Sequence, residues 1–469
     1  MQDLIRNALF RRFSSLVRTP IGKHGLGRWL IPWLTVFLAS LPAVVVPAVR
    51  ASDAPMFRGD LRHTGVFDAR GVEKLSGVKW KVSMPGRVIA SPAVEGATVY
   101  AASTGGVVAA VDRETGAVKW KFEAKSRIAS SPAVADGVVY LEAYDGNLYA
   151  LDAATGALRW KFGTEGEHRF TAKNLHGMLP AAETKPDPWD SYLSSPAVWK
   201  GAVYFGSGDG NIYAIDAASG AMKWKFHTGD VVHASPAIAD GMIFLGSWDS
   251  YFYALDAATG REKWRFKTGD DPQLHNHVGI ESSAAVVDGA VYFGCRDAHV
   301  YALDEFTGEK KWSWAEPNGS WVNTSPAVSK GVVYFGNSYG GQLFAADAKS
   351  GKILYTVNFK GWPIYSSPAI AGARLYVGST AGTLNAIDLE SHAIAWTYQT
   401  DASKQNVAAF TAPDGSSGYF GAFGTSGFYD EVMAGYERLE SVGPVISSPV
   451  VVGNVVYFGS SDGNLYALE

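Results

Sequence analysis

Short apolar runs alternate with clusters of Gly, Asp and Asn along nearly the whole chain. The runs favour β-branched and aromatic residues, as in Val203-Tyr204-Phe205, and their spacing suits strands rather than helices. The clusters between them read as tight turns, such as Asp145-Gly146-Asn147 and Asp152-Ala153-Ala154-Thr155-Gly156. One phrase recurs. A Ser-Pro-Ala-Val-like strand opens it, a Val-Tyr-Phe-Gly-like strand follows, then Leu-Tyr-Ala-Leu-Asp. A fourth strand carries tryptophan, as in Lys223-Trp224-Lys225-Phe226. The opening serine stands at Ser91, Ser131, Ser195, Ser235, Ser283, Ser325, Ser367 and Ser448, with Ala284 replacing the proline once. Where nothing is inserted the period is about forty residues, typical of propeller blades. The pattern predicts an all-β chain forming a single eight-bladed β-propeller.

The eighth phrase stops at Glu469 without its tryptophan strand. Val78-Lys79-Trp80-Lys81-Val82 matches Val118-Lys119-Trp120-Lys121-Phe122, so the N-terminal strand is expected to complete the last blade and close the ring. The outer-strand aromatics are then Trp80, Trp120, Trp160, Trp224, Trp264, Trp312, Tyr355 and Trp396, expected to pack between blades.

The first residues break the pattern. Arg6, Arg11, Arg12, Arg18, Lys23 and Arg28 precede an uncharged run over residues 29–49, followed by Val49-Arg50-Ala51. This reads as a signal peptide cut after Ala51, or as an uncleaved anchor long enough to span a bilayer. Either places residues 52–469 outside the cytoplasm, in the periplasm or an equivalent space. Without residues 1–51 the chain keeps 34 basic and 44 acidic residues, a formal charge of −10. That balance argues against nucleic acid as a partner. Membrane contact is expected only through the N-terminal segment, and the chain is expected as a monomer. The lone Cys295 cannot form an internal disulfide and reads as a buried small hydrophobe.

Strand order separates two faces. The Asp-x-x-Thr-Gly turns fall on a plain face. The second-to-third turns and the blade crossings fall on the other, where three crossings are enlarged: residues 163–193, 267–280 and 400–443. Long loops on a regular scaffold often carry function. At the position three residues before the proline of each first strand stand Ile89, Ala129, Leu193, His233, Glu281, Asn323, Tyr365 and Ile446. The consecutive His233, Glu281, Asn323 and Tyr365 form a polar sector on an otherwise apolar ring, as a binding pocket requires. Trp248 and Arg296 occupy second-to-third turns on the same face, and Arg169, Asp190, His275 and His277 lie in the insertions. Tryptophans and an arginine near carboxylates suit a flat anionic cofactor or a sugar ring. His275-x-His277 lacks a fixed third metal ligand. Glu281 and Asn323 offer oxygen ligands, better suited to calcium than to zinc.

The repeat, with its Asp-x-x-Thr-Gly turn ahead of an outer tryptophan, resembles the pyrroloquinoline-quinone-type propeller repeat over residues 54–469. Quinoprotein alcohol dehydrogenases share it with the propeller lipoprotein of the outer-membrane barrel-assembly machinery. The first resemblance implies a quinone over the propeller axis and a calcium ion held by Glu281 and Asn323. It also implies Trp248 stacked on the quinone and a carboxylate base, Glu281 or Asp190, that removes the alcohol proton of an alcohol or sugar. His233, Tyr365, Arg296, Arg169, His275 and His277 would complete the cofactor site. The single cysteine departs from the family, which often carries an adjacent cysteine pair. There is also no Cys-x-x-Cys-His for an attached haem. The second resemblance implies a non-catalytic envelope scaffold that binds other proteins. The expected partner is thus a small-molecule ligand or an envelope protein.

Overall fold

The computed structural model describes residues 53–469, and the leader expected over residues 1–51 lies outside them. Eight sheets of four antiparallel strands stand around one axis, as the repeat predicts. The first blade is Ala93–Glu95, Thr98–Ala102, Val107–Asp112 and Val118–Glu123. The last is built from both ends of the chain. Val450–Val452, Val455–Gly459 and Asn464–Leu468 take Val78–Ser83 as their outer strand, with Trp80 opposite Ala467.

Each outer tryptophan docks on the turn of the next blade. Asp152 Oδ1 accepts from the backbone N–H and the hydroxyl of Thr155, which fixes the turn. Gly156 follows at φ +74°, where a Cβ would lie 2.6 Å from Trp120. The bare glycine therefore lets the indole lie flat against the turn. Trp120 Nε1 then donates to the Ala153 carbonyl at 3.0 Å. Trp80 repeats the contact across the ring closure, donating to Arg113 at 2.9 Å. Tyr355 instead stacks on His392, with ring centroids 3.6 Å apart.

The repeated serine has an equally definite role. The Ser91 backbone N–H donates to Ser131 Oγ, Ser131 to Ser195, and so on round the ring, until Ser448 donates back to Ser91 Oγ at 3.0 Å. Eight buried N–H groups are thereby satisfied in a closed circle about the axis.

Residues 54–67 run inside this ring at the plain end. Carbonyls of Pro55, Leu61, Arg62, Thr64 and Gly65 accept from the first strands of successive blades, and Val66–Phe67 pairs in parallel with Ala369–Ala371. Phe57 forms part of the floor of the axial cavity. Arg58 is buried, donates to the Pro326 carbonyl at 3.1 Å, and is pushed down to about 9 by burial. The axis is closed at this end, so any approach to the channel is from the elaborated face. Among the described residues no helix is long and apolar enough to cross a membrane.

Candidate functional site

The three insertions knit into one layer over the second face. The first forms a hairpin, Thr171–Lys173 with Thr184–Pro186. The third contains an α-helix, Tyr429–Glu440. Tyr429 donates from its hydroxyl to the Pro186 carbonyl at 2.8 Å, and Leu179 bridges to Phe428. The second insertion joins through Asn174 Nδ2, which donates to the Gln273 carbonyl at 3.1 Å.

Beneath this layer lies the axial cavity, about 70 Å³. All eight positions compared around the ring line it, from Ile89 to Ile446, together with the eight serines. The sequence-predicted polar sector is therefore brought together at the axis. Asn323 Nδ2 donates to Glu281 Oε2 at 2.6 Å. Burial pushes the Glu281 carboxyl up to about 8, with Asp190 and Asp187 adding to it against the opposing pull of Arg296. Trp189, Asp190 and Tyr192 of the first insertion also line the cavity.

His233 lines the cavity with both ring nitrogens engaged by protein carboxylates. Its Nδ1 meets Asp190 Oδ1 at 2.5 Å and its Nε2 meets Glu167 Oε1 at 2.8 Å. Burial opposes its charge, but the two carboxylates override this and hold the imidazole well above its ordinary value. Asp190 Oδ2 accepts from the Phe170 N–H, and Glu167 Oε2 from the Gly208 N–H. Glu142 is fully buried beside Glu167, and burial plus that neighbour's charge drive its carboxyl well up. Protonated, it can donate to Glu167. This cluster clamps the first insertion to the blades. It engages Asp190 fully, which removes that residue as a free base.

A second buried knot surrounds Arg296. Its guanidinium lies 4.5 Å from the Trp248 ring centroid and 3.9 Å from that of Trp321, and Nη2 donates to Asp187 Oδ2 at 3.1 Å. His176 Nε2 meets the same oxygen at 2.7 Å. Burial pushes Asp187 up, but Arg296 and His176 outweigh it and hold the carboxyl below its usual range. Phe170 stacks on Trp248 at 4.7 Å and 13°. One Trp248 ring face thus meets Phe170 and Arg296 is held over the same indole, so the stacking platform expected for a cofactor is occupied by protein.

Beside the axis an open groove of about 520 Å³ runs between the insertions and blades five and six. Trp189, Trp321, Tyr339 and Phe420 line it with His277, Asn318 and Ser338. Trp189 and Tyr365 border both this groove and the axial cavity. His277 Nδ1 donates to the Arg296 carbonyl at 2.8 Å, and Nε2 lies 3.4 Å from the Asn276 amide nitrogen. His275 instead packs near Phe170 at 6.0 Å, so the two histidines do not share a ligand position. Arg169 lies by Tyr144 and Asp190. Cys295 is buried, with its thiol pushed up by burial. Among the described residues no cluster of three or more His, Cys, Asp or Glu is arranged for a metal ion. Asp187, His176, Glu167 and Glu142 are central here and were not singled out from the sequence for these roles. Their only signal was position, in or facing the insertions.

Pyrroloquinoline quinone does not fit these residues. The axial cavity is too small for a flat tricyclic tricarboxylate, and Trp248 is enclosed. Glu281 and Asn323 face each other across the cavity: the Asn323 amide donates to Glu281 Oε2, and Asn323 Oδ1 is buried without a partner. The groove has the volume, but none of its lining residues is Lys or Arg.

The fold and the single elaborated face define a quinoprotein-type eight-bladed propeller. The family model described as outer membrane protein assembly factor BamB matches residues 66–183, 181–320 and 296–427, and the chain belongs to this PQQ-like repeat family. It is 31% identical over 109 residues to the dehydrogenase subunit of the quinone alcohol dehydrogenase of Komagataeibacter europaeus, covering 20% of this chain and 15% of that one. It is 25% identical over 167 residues to outer membrane protein assembly factor BamB of Moranella endobia, covering 31% of this chain and 43% of the relative. The chain thus spans less than half the length of these curated relatives. Among solved structures, BamB of Moraxella catarrhalis superposes with a TM-score of 0.58 at 19% identity, over 84% of this chain and 97% of that one. The quinohemoprotein alcohol dehydrogenase of Comamonas testosteroni gives 0.64 at 16%, over 90% and 81%. At these identities the likeness is one of fold.

Proposed function

We propose that this chain is an extracytoplasmic binding propeller, without quinone chemistry, that takes a small ligand in the groove beside its axis. The observation that carries this is the division of space on the elaborated face. The axis, where a quinone would lie, keeps only a cavity of about 70 Å³ beneath Trp189, Asp190 and Tyr192. The groove stays open at about 520 Å³, within the usual range for ligand sites. The basic and apolar segments before Ala51, together with the envelope relatives, support export. A thermal-shift screen of the whole chain against a fragment library, run beside quinone with calcium, tests the reading. Fragments that raise Tm in the native chain and fail to do so in Tyr339→Ala support it. Stoichiometric quinone binding by absorbance, or no fragment sensitive to Tyr339→Ala, overturns it.

A protein partner is a second reading, favoured by apolar side chains that the insertions leave in solvent. Leu179, Leu274, Phe420 and Phe428 are exposed there, as is Tyr339 at the groove. Exposed apolar surface of this kind marks interaction sites. Envelope crosslinking through a photoreactive residue at position 428 distinguishes this reading by yielding one stoichiometric protein adduct.

A further inference from the structure

The groove selects by what its walls lack. Its lining residues include no Asp, Glu, Lys or Arg. Arg296, which stacks on Trp321, is fully buried and tied to Asp187. A charged ligand would lose its hydration here and gain no counter-charge. A purely apolar ligand meets the converse difficulty. It would cover the Ser338 hydroxyl and the edges of Asn318 and His277, whose amide and Nε2 meet Glu316 and Asn276 but keep further hydrogen-bonding capacity that an apolar ligand leaves unused. The aromatic part of the lining is substantial: Trp189 and Trp321 meet edge to face at 5.6 Å, and Tyr339 lies against Phe420 at 4.4 Å.

A ligand that satisfies both halves has an apolar face for the rings and a fringe of uncharged hydroxyl or amide groups for the polar side chains. A pyranose ring has this form, with C–H bonds on its faces and hydroxyls around its edge. We infer that the groove binds a neutral saccharide, resting on the reading above that it is the ligand site. The volume suits a mono- or disaccharide, and the open mouth lets a longer chain continue into solvent. Trp189 and Trp321 supply stacking surface, Tyr339 covers the rim, and Asn318, His277 and Ser338 bond the hydroxyls. The site lies off the propeller axis, and the axial carboxylates Glu281 and Asp190 are not among its lining residues.

The test is titration of the whole chain, by calorimetry and tryptophan emission, with neutral hexose and N-acetylhexosamine oligosaccharides. The matching uronic acid oligosaccharides and aromatic peptides form two further arms. Neutral saccharides are expected to bind and shift the emission, with the uronides weaker. Tyr339→Ala and Asn318→Ala should each weaken binding by about three- to tenfold. Tyr339→Phe should retain most of it, and Phe306→Ala on the opposite face should change nothing. Melting curves confirm that each variant is folded. Binding of peptides or uronides alone, lost in Tyr339→Ala, overturns the saccharide and keeps the groove as the ligand site. Saccharide binding indifferent to both groove variants overturns the assignment to this groove. Failure of all three arms, together with a silent fragment screen, overturns both.

Discussion

Asp187 Oδ2 accepts from Arg296 Nη2 at 3.1 Å across a separation of 109 residues. Both side chains are fully buried, so the pair holds the first insertion against the fifth blade. Asp187→Asn leaves the buried guanidinium with only the more distant Glu281 carboxyl, 3.9 Å away, and is expected to cost about 3–5 kcal/mol. Urea unfolding measures it. The double variant Asp187→Leu with Arg296→Met should recover most of that loss, since the charge is then removed with its partner. Recovery would show that the pair orients the insertion more than it stabilises the ring.

The buried acids and His233 predict a stability maximum on the acid side of neutrality. Folded His233 holds its proton far above its ordinary value. Its contribution is complete below about pH 6.5 and is lost as pH rises through the elevated folded value. Folded Glu281 is raised to about 8, so its contribution is complete below the ordinary carboxylate value and fades as pH climbs through 8. Asp187 and Glu167 are held low, and what they contribute is lost as pH falls through their folded values. The melting temperature should therefore peak near about pH 4–5 and decline toward pH 9. His233→Gln should flatten the alkaline limb, as read by calorimetry across the range.

Removing one hydroxyl breaks the serine circle at one joint. Ser235→Ala leaves the buried Ser195 N–H without its acceptor. The expected loss is about 1–3 kcal/mol, whereas Ser235→Thr keeps an oxygen in place and should lose less. Denaturant midpoints at constant m-value separate the two.

Gly156→Ala tests the tryptophan dock. The new Cβ would stand 2.6 Å from Trp120 at a backbone φ of +74°. Both strain and overlap oppose it, and a loss of about 2–3 kcal/mol is expected. Trp120 emission should shift as the indole moves away from the turn.

The blades were readable in sequence because each strand has seven others to be compared with. Register, ring closure through Trp80 and the common cavity of His233, Glu281, Asn323 and Tyr365 all follow from that comparison. What those side chains do there was not readable. His233 is bound by Glu167 and Asp190, which come from an insertion that has no repeat to align with. Trp248 and Arg296 looked like cofactor contacts because their turn departs from the pattern, but the departure serves Phe170 and Asp187 arriving from far along the chain. The path of residues 54–67 inside the ring was hidden for the same reason: its partners are backbone groups, which leave no mark on composition.

The ring joins the two ends of the chain in time as well as in space. Ser448 pairs with Ser91 over a separation of 357 residues. During synthesis or export from the N-terminus, Val78–Ser83 emerges among the first strands and finds its mate, Asn464–Leu468, among the last. Until then one strand edge waits unpaired, and the circle of serines has a gap. Blades can form in succession, but closure is a single terminal event. A variant lacking Asn464–Leu468 would leave Val78–Ser83 without its mate, an open strand edge.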